Sequence, residues 1–480
     1  MASRCNKYQP PRGPAWQACA LAMSFHPPDM DPRLPLAIPA LTSPVVGEWR
    51  VPGSKSITNR ALVLAALSER TELVNVLASD DTHRMRECLA ELGISVETQS
   101  ADAHAGERVR VLGGLARLRT PRQALFVGNS GTTVRFLAAF AALVPGQVTF
   151  VGDGAMAKRP IMDLVDGLRQ LGIVVDCPSG CPPITVRSGQ ITSTRVTMPG
   201  ERSSQYFTAL LMAAGMFAAD LDITIAGDLV SRPYIDMTIP MVEQFGGRID
   251  STATGFHVHG RRRYGIAGRA DASVMPSYEI EPDASSASYP FALAAASGST
   301  ITVPGLSPGG LQGDFAFVEV LRSMGAAVSG ADSRAGSGNG TSTTVSGPRR
   351  LRGIEVDMHH ISDTVMTLAA IAPLCEGPTT IRNIANIRIK ETDRLAATVT
   401  ELRRLGQAVE HGEDWLTITP RPLRPATVEC YHDHRMAMSF AILGAIAGGV
   451  TIADPACTAK TYPHFWRDLA RLYPGGGRPW

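Results

Sequence analysis

Aromatic residues and charge are both scarce in this 480-residue chain, and these shortages exclude several kinds of partner. Aromatic side chains make up 6% of the residues and charged ones 19%, and the net charge is only +2. There is no basic tract and no arginine stripe interleaved with aromatics, so no nucleic-acid partner is expected. No apolar run approaches the roughly 18 residues of a membrane span, so no membrane partner is expected either. An anionic ligand would have to be bound by local clusters of charge.

The cysteines lack the spacing of a metal site. Cys177 and Cys181 have three residues between them, but no second Cys or His pair at zinc spacing follows. The eight cysteines lie scattered in apolar or loop context, which is typical of free thiols in a reducing compartment. We therefore predict a cytoplasmic protein that holds no metal.

The start of the chain is rich in proline and irregular in pattern. It has neither the apolar core of a secretory signal nor the Arg/Ser bias of a transit peptide. We expect residues 1–41 to be a disordered extension, or a mis-assigned start with Met23 or Met30 as the true first residue.

From Val45 onward a unit of polar cluster, apolar helix, strand and second helix recurs six times. The first helix of each unit is apolar nearly all round, as in residues 60–67, and such a helix is buried. Most of the second helices end in an apolar residue followed by Gly, the residue expected at a left-handed C-cap. The repeats are too long for a solenoid. The pattern predicts an α/β fold of two domains, each of three repeated units with buried parallel helices and outer sheets.

The buried helices are predicted to begin at Ser, Asn and Asp residues, which are ordinary N-caps when taken singly. Parallel helices in a three-unit domain would point their N-termini the same way and present free N–H groups. Two such faces opposed to each other would enclose a ligand rich in negative charge. The predicted starts lie near Gly53, Asn129, Ser203, Asp283, Asp363 and Asp433.

A dense group of charges precedes the predicted helix that starts near Leu395. Lys390 and Arg394 lie in or just before its first turn, where cations oppose the helix dipole by roughly 0.3–1 kcal/mol each when exposed. One interpretation is a solvated face with an ion pair from Glu391 to Arg394. The other is an anion held between the helix end and these side chains.

Nine short segments carry distinctive motifs, namely residues 52–60, 128–135, 159–160, 203–205, 231–234, 283–286, 390–394, 433–436 and 458–461. These motifs closely resemble those of the EPSP synthase family, the 5-enolpyruvylshikimate-3-phosphate synthases of the shikimate pathway. The resemblance runs from about residue 42 to the end, and it departs from the usual pattern at Ala157 and at Pro282. The Gly/Ser/Thr-rich stretch 329–350 is expected to be an inserted or lengthened surface loop.

The resemblance implies two inside-out α/β domains whose helix N-termini face a central cleft. Domain 1 would comprise residues 42–53 and 281–480, and domain 2 residues 54–280. The active site would lie in the cleft between the two domains. A monomer is expected.

The resemblance also implies the reaction and its residues. The 5-hydroxyl of 3-phosphoshikimate would attack C2 of phosphoenolpyruvate, with Asp363 as the base, Glu391 as the acid and Lys55 as a further catalytic residue. Neither a metal nor an organic cofactor would take part, and glyphosate would occupy the phosphoenolpyruvate position. The residues expected to hold 3-phosphoshikimate are Lys55, Ser56, Arg60, Ser203, Ser204, Gln205, Ser231, Tyr234, Asp363, Asn386 and Lys390. Those expected to hold phosphoenolpyruvate are Lys55, Asn129, Gly131, Thr132, Arg159, Gln205, Arg394, Arg435 and Lys460.

Three other functions compete with this one. A kinase or NTPase is disfavoured because Ser54, rather than Gly, precedes Lys55. A UDP-N-acetylglucosamine enolpyruvyl transferase has the same fold, but that family lacks the Lys-Glu-Thr-Asp-Arg run and uses a loop Cys that has no evident counterpart here. A catalytically inactive anion-binding homologue would not need both Asp363 and Glu391.

Overall fold

The computed structural model describes residues 34–102, 106–266, 275–331 and 341–473. Within them, α-helices of two kinds alternate along the chain, the odd-numbered ones inside and the even-numbered ones outside. They are α1 (Lys55–Leu67), α2 (Asp80–Glu91), α3 (Gly131–Phe140), α4 (Met162–Gln170), α5 (Ser204–Ala214), α6 (Pro233–Gln244), α7 (Ala284–Ser297), α8 (Phe317–Ser323), α9 (Val365–Ile371), α10 (Arg394–Arg404), α11 (His434–Ala447) and α12 (Phe465–Ala470).

The strands are short and lie between these helices in the sequence. The first half of the chain contains β1 (Leu36–Ile38), β2 (Val46–Glu48), β3 (Arg70–Val76), β4 (Ser95–Asp102), β5 (Gly106–Leu112), β6 (Leu125–Phe126), β7 (Gln147–Val151), β8 (Val174–Asp176), β9 (Ile184–Arg187), β10 (Arg195–Pro199), β11 (Leu221–Ala226), β12 (Ile249–Thr252), β13 (Gly255–Val258) and β14 (Ser277–Glu279). The second half contains β15 (Thr300–Pro304), β16 (Ala327–Ala331), β17 (Ser342–Ser346), β18 (Glu355–Asp357), β19 (Thr379–Arg382), β20 (Ala408–His411), β21 (Leu416–Thr419), β22 (Ala426–Val428) and β23 (Val450–Ile452).

The inner helices are buried because their sequences offer no polar face. In α1 every residue from Ile57 to Leu67 is buried, and α3 is buried along its whole length. The inner helices of each half contact one another. The outer helices are amphipathic and end as predicted, since Gly93, Gly172, Gly246, Gly325 and Gly406 have φ between +86° and +108°, a range that favours glycine.

The strands form six sheets that mix parallel and antiparallel pairs. The prediction of an α/β fold with repeated units, buried helices and outer sheets is confirmed. The strand orders are β1-β23-β22, β16-β17-β15-β2, β18-β19-β21-β20, β14-β3-β5-β4, β6-β7-β9-β8 and β10-β11-β13-β12.

Two separate hydrophobic cores underlie the two halves. One contains residues from Ile57 to Ile280, and the other combines Leu36–Val51 with residues from Ala284 to Tyr473. We propose that these cores define two domains; the boundaries at residues 42, 54 and 281 stay predictions.

The prediction of a disordered extension over residues 1–41 is wrong in its last part. Leu36 and Ile38 are buried, and β1 pairs with β23 in antiparallel register. The alternation of buried and exposed residues in β1 covers only three residues, too few to show a period in the sequence. Residues 1–33, with the proposed starts Met23 and Met30, lie outside the described residues.

The stretch 329–350, predicted to be a surface loop, begins in β16 and contains all of β17, and these two strands pair in antiparallel register. Residues 332–340 lie outside the described residues. Elsewhere, across the ranges that the structure describes, no helix combines the length and apolar character that a bilayer crossing requires.

Candidate active site

A cleft opens where several helices begin. Its walls include the first turns of α1, α3, α5 and α6 from one half and those of α10 and α11 from the other. Helix N-termini present free N–H groups and positive dipole ends, so this position suits an anion.

Side-chain caps fix where these helices start. Ser54 Oγ accepts a hydrogen bond from the Ile57 amide at 3.4 Å, and Asp433 Oδ1 accepts one from the Arg435 amide at 2.9 Å. The helix predicted to start near Asp363 is present, but Asp363 is not its N-cap. Asp363 lies inside a 3₁₀ turn, and α9 begins two residues later. Because its carboxylate does not cap a helix, it is available to the cleft.

Arg394 links three carboxylates beside the cleft, and its side chain is buried. Its Nε atom lies 2.7 Å from Asp433 Oδ2, one terminal nitrogen lies 3.0 Å from Asp363 Oδ1, and the other lies 2.6 Å from Glu391 Oε2. These carboxylates offset the unfavourable position of a cation at the start of α10. The interpretation of this segment as a solvated face is therefore wrong, although the ion pair between Glu391 and Arg394 is present.

Three cationic side chains surround the carboxylate of Asp363. Besides Arg394, Arg435 contacts Oδ2 at 2.7 Å and Lys390 Nζ lies 3.9 Å from Oδ1. Burial favours the neutral carboxyl, but Arg435, Lys390 and Arg394 outweigh it and hold the pKa of Asp363 well below its usual range. The Tyr234 hydroxyl also donates to Oδ2 at 3.2 Å. Asp363 is therefore an ionised, well-oriented carboxylate.

Glu391 is in a similar electrostatic position. Its Oε1 atom lies 3.5 Å from Lys460 Nζ, in addition to the contact with Arg394. Burial raises the pKa of Glu391, but the charges of Arg394, Lys460 and Arg159 lower it further, and the net shift is well below the ordinary value. With these cations around it, Glu391 is therefore ionised.

The opposite wall holds cations of its own. Lys55 is the first residue of α1, and its Nζ atom lies 3.5 Å from Asp81 Oδ2. Arg159 donates to the Asn129 carbonyl at 3.2 Å, and Lys460 donates to the same carbonyl at 3.2 Å. The Asn129 carbonyl therefore joins cations from the two halves of the chain.

Gly131 leaves room for the Arg159 guanidinium. A Cβ atom at this position would lie 2.8 Å from Arg159 Cζ, a separation too short for two carbon atoms in contact. Any side chain here would therefore displace a cation of the cleft.

Most of the predicted site residues come together in this cleft. Arg60, Asn129 and Lys460 do not line it. The donors of Arg60 go to the Ser56 and Tyr234 carbonyls and to two threonine hydroxyls behind the wall. The predicted residues that line the cleft are Lys55, Ser56, Gly131, Thr132, Arg159, Ser203, Ser204, Gln205, Ser231, Tyr234, Asp363, Asn386, Lys390, Glu391, Arg394 and Arg435.

The cleft also contains residues to which the sequence analysis gave no role. Asp81, Arg135 and Arg202 line the cleft, and Arg135 donates to Gln205 Oε1 at 2.7 Å. Arg135 could have been identified from the sequence, because it directly precedes the apolar run 136–140 and is therefore expected to be buried. A buried cation needs a polar or anionic partner, which indicates a site. Asp314 is not part of the cleft lining; it lies 3.5 Å from the Tyr234 hydroxyl, in a turn with no sequence signal.

Asp314 makes a testable contribution to stability. Burial, with a smaller effect from Asp363, raises the pKa of Asp314 to about 6, against about 3.9 in an unfolded chain. Between these values the folded state keeps a proton that the unfolded state loses, so rising pH destabilises the fold. The full cost, present above about pH 6, is roughly 2–3 kcal/mol.

Replacing Asp314 by Asn should therefore raise the free energy of unfolding at pH 8 relative to the parent, and should change it much less at pH 4. Urea unfolding at the two pH values measures this difference, and the other titrating groups cancel in the comparison. An equal change at both pH values would contradict the assignment.

Comparison with known proteins supplies the family. The model of the family described as EPSP synthase (3-phosphoshikimate 1-carboxyvinyltransferase) matches residues 40–469. The chain belongs to the EPSP synthase family. It is 44% identical over 441 residues to the chloroplastic 3-phosphoshikimate 1-carboxyvinyltransferase of Petunia hybrida, covering 89% of this chain and 83% of the petunia protein. It is 43% identical over 433 residues to the 3-phosphoshikimate 1-carboxyvinyltransferase of Serratia proteamaculans, covering 89% of this chain and 96% of the relative.

Solved structures agree on the fold. A structure of EPSP synthase from Acinetobacter baumannii superposes with a TM-score of 0.74 at 23% identity, covering 92% of this chain and 99% of that one. The resemblance to the family and its expected fold are thus confirmed.

Proposed function

We propose that this cleft transfers the enolpyruvyl group of phosphoenolpyruvate to the 5-hydroxyl of 3-phosphoshikimate, releasing phosphate. The observation that carries the proposal is the placement of two ionised carboxylates, Asp363 and Glu391, on one buried guanidinium in a cleft rich in cations. Both substrates carry a phosphate and a carboxylate, so bringing them together requires positive charge on every side. The reaction needs one base and one acid, and the cleft supplies two carboxylates.

In this proposal the acceptor binds along the wall from α5 and α6 to the 3₁₀ turn that holds Asp363. Asn386 Nδ2 donates to Ser362 Oγ at 3.1 Å and to Ser231 Oγ at 3.4 Å, so it connects the two halves. Hydroxyl and amide groups suit the acceptor's hydroxyls. The acceptor set is Lys55, Ser56, Ser203, Ser204, Gln205, Ser231, Tyr234, Asp363, Asn386 and Lys390, with Arg60 as a support behind Ser56.

Phosphoenolpyruvate binds to the cationic side chains that the acceptor does not contact, together with Lys55, which both substrates share. Arginine forks match carboxylates and phosphates bidentately, so Arg394 and Arg435 receive its carboxylate. Lys55, Arg159 and Gln205 surround its phosphate, with Gly131 and Thr132 at the start of α3. Lys460 and Asn129 act from behind the cleft wall, where Lys460 contacts Glu391 and the Asn129 carbonyl accepts from Arg159. A phosphonate that also carries a carboxylate, such as glyphosate, fits the same cations and competes with this substrate.

The chemistry then follows from changes in charge. Bound carboxylate and phosphate groups neutralise Arg394, Arg159 and Lys460, the cations that hold the pKa of Glu391 low. Its pKa therefore rises on binding, and Glu391 takes up a proton that it delivers to C3 of phosphoenolpyruvate. Asp363 accepts the proton of the 5-hydroxyl as the hydroxyl oxygen attacks C2. Loss of a proton from C3 and cleavage of the C2–O bond to phosphate complete the transfer.

The UDP-N-acetylglucosamine enolpyruvyl transferase is the nearest alternative, and the cleft does not favour it. Among the cysteines of the described residues, none lines the cleft. The test is phosphate release from phosphoenolpyruvate with 3-phosphoshikimate, with UDP-N-acetylglucosamine, or with no acceptor. Release with the first alone supports the proposal. Release with the second would assign the other transferase, and no release in any arm would indicate an inactive homologue.

We further propose that the protein acts in the cytoplasm as a monomer. Each cation assigned to a substrate comes from the single chain, so the cleft needs no residue of a second copy. Sedimentation of the full chain at micromolar concentration tests the oligomeric state.

A further inference from the structure

Two histidines and several aspartates form a cluster on the sheet β10-β11-β13-β12, and none of them lines the cleft. His257 lies in β13 and His259 follows its end, so the two side chains share one face of the sheet. The strand β13 lies between β11 and β12, and the register places Asp222 and Asp250 opposite His257. Asp220 precedes β11, and its Oδ1 atom accepts the Gly260 amide at 2.9 Å.

The ligand atoms of the cluster lie close enough together for one metal ion to contact them all. One ligand atom each from Asp220, His257 and His259 lies within 4.8 Å of the others, and His257 Nε2 lies 3.6 Å from Asp220 Oδ2. Tetrahedral zinc with bonds of about 2.0–2.1 Å sets its ligands about 3.4 Å apart. Small rotations of these partly exposed side chains would close the remaining gap.

Further carboxylates hold the imidazole rings. Asp222 Oδ1 lies 2.6 Å from His257 Nδ1, and Asp250 Oδ2 lies 2.7 Å from His259 Nε2. A carboxylate on the second nitrogen of a metal-binding histidine fixes the ring and makes the ligand nitrogen more basic. For His257 this leaves Nε2, which faces Asp220, as the free ligand atom.

We propose that Asp220, His257 and His259 bind a divalent d-block cation of the zinc class, with Asp222 as the positioning residue of His257. Two imidazoles and one carboxylate match zinc, nickel and copper, whereas magnesium and calcium prefer oxygen ligands alone. The ion would connect the turn before β11 to the end of β13 and stabilise this sheet. The proposal does not depend on the enolpyruvyl transfer, since the cluster shares no residue with the substrate sets.

The test titrates metal-free full-length protein with Zn²⁺ against a chromophoric chelator. The His257→Gln and Asp220→Asn variants should each lose at least about tenfold in affinity, and Asp222→Asn should lose about 10–100-fold. The matched control is His411→Gln, an exposed histidine at the end of β20, which should keep the parent affinity. Thiol binding by the cysteines is common to all variants and cancels in the comparison.

Thermal unfolding gives a second readout. Zn²⁺ should raise the Tm of the parent and of His411→Gln, because a ligand that binds only the folded state stabilises it. It should raise the Tm of His257→Gln much less, and Mg²⁺ should have little effect on any of the proteins. Equal Zn²⁺ affinity in the parent and the His257→Gln and Asp220→Asn variants, or an equal loss in His411→Gln, would overturn the proposal.

Discussion

Replacing Glu391 by Gln should lower kcat by about 10²–10⁴-fold, the usual contribution of a positioned acid or base. Gln keeps the volume of the side chain and an oxygen that can accept from Arg394, but it cannot deliver a proton to C3. Because the lost contribution is largely confined to the transition state, KM should change far less than kcat. Steady-state kinetics with both substrates varied separates the two. A rise in KM alone would make Glu391 a structural partner of Arg394 and Lys460.

A matched control lies in α10, the helix that begins three residues after Glu391. Glu401 of α10 is also a buried carboxylate, and it accepts from the Tyr431 hydroxyl at 2.7 Å and from the Glu429 amide at 3.1 Å. It does not line the cleft. Glu401→Gln should lower the free energy of unfolding and leave kcat near the parent value. If it lowered kcat as Glu391→Gln does, loss of a buried carboxylate in or beside α10 would explain both effects.

Replacing Lys55 by Met should lower turnover by at least about a hundredfold, as expected for the loss of one preorganised electrostatic contact. Met keeps most of the volume of the stem and removes the charge at the first turn of α1. Lys55 serves both substrates in this proposal, so kcat/KM for each should fall. The variant should remain folded, because its ion pair with Asp81 is a single contact, which circular dichroism and thermal unfolding would check.

Lys158→Met is the corresponding control, since Lys158 is exposed and immediately precedes Arg159. It should leave turnover within about threefold of the parent, below the effect of a preorganised contact. Turnover within that same range for Lys55→Met would remove Lys55 from the reaction.

The sequence predicts the parts of the fold that depend on long, regular patterns. The helix α1 is predictable because many consecutive apolar residues indicate its burial. The end of α2 is predictable because one glycine adopts a left-handed φ that other residues avoid. The strand β1 has only three residues and could not show a period. Its burial depends on β23, which lies more than 400 residues further along the chain.

The sequence predicted most of the residues that come together in the cleft, but it could not predict their electrostatics. The motifs identify Asp363, Glu391 and Arg394 as candidate site residues. Whether burial raises or neighbouring cations lower the pKa of a carboxylate depends on distances between elements that are far apart in the chain. The same holds for Asp314, whose pKa is raised where that of nearby Asp363 is lowered. Arg435 contacts Asp363 at 2.7 Å, and this contact is a property of the fold.

Calorimetry tests the proposed change in Glu391 most directly. The protein is saturated with a 5-deoxy analogue of 3-phosphoshikimate, which lacks the attacking hydroxyl, and is titrated with phosphoenolpyruvate at pH 8 in buffers of different ionisation enthalpy. The slope of the binding heat against that enthalpy counts the protons exchanged. The parent should take up a proton on binding, because the substrate anions neutralise the cations around Glu391, and the uptake should be lost or much reduced in Glu391→Gln. An equal proton count in both proteins would contradict the mechanism.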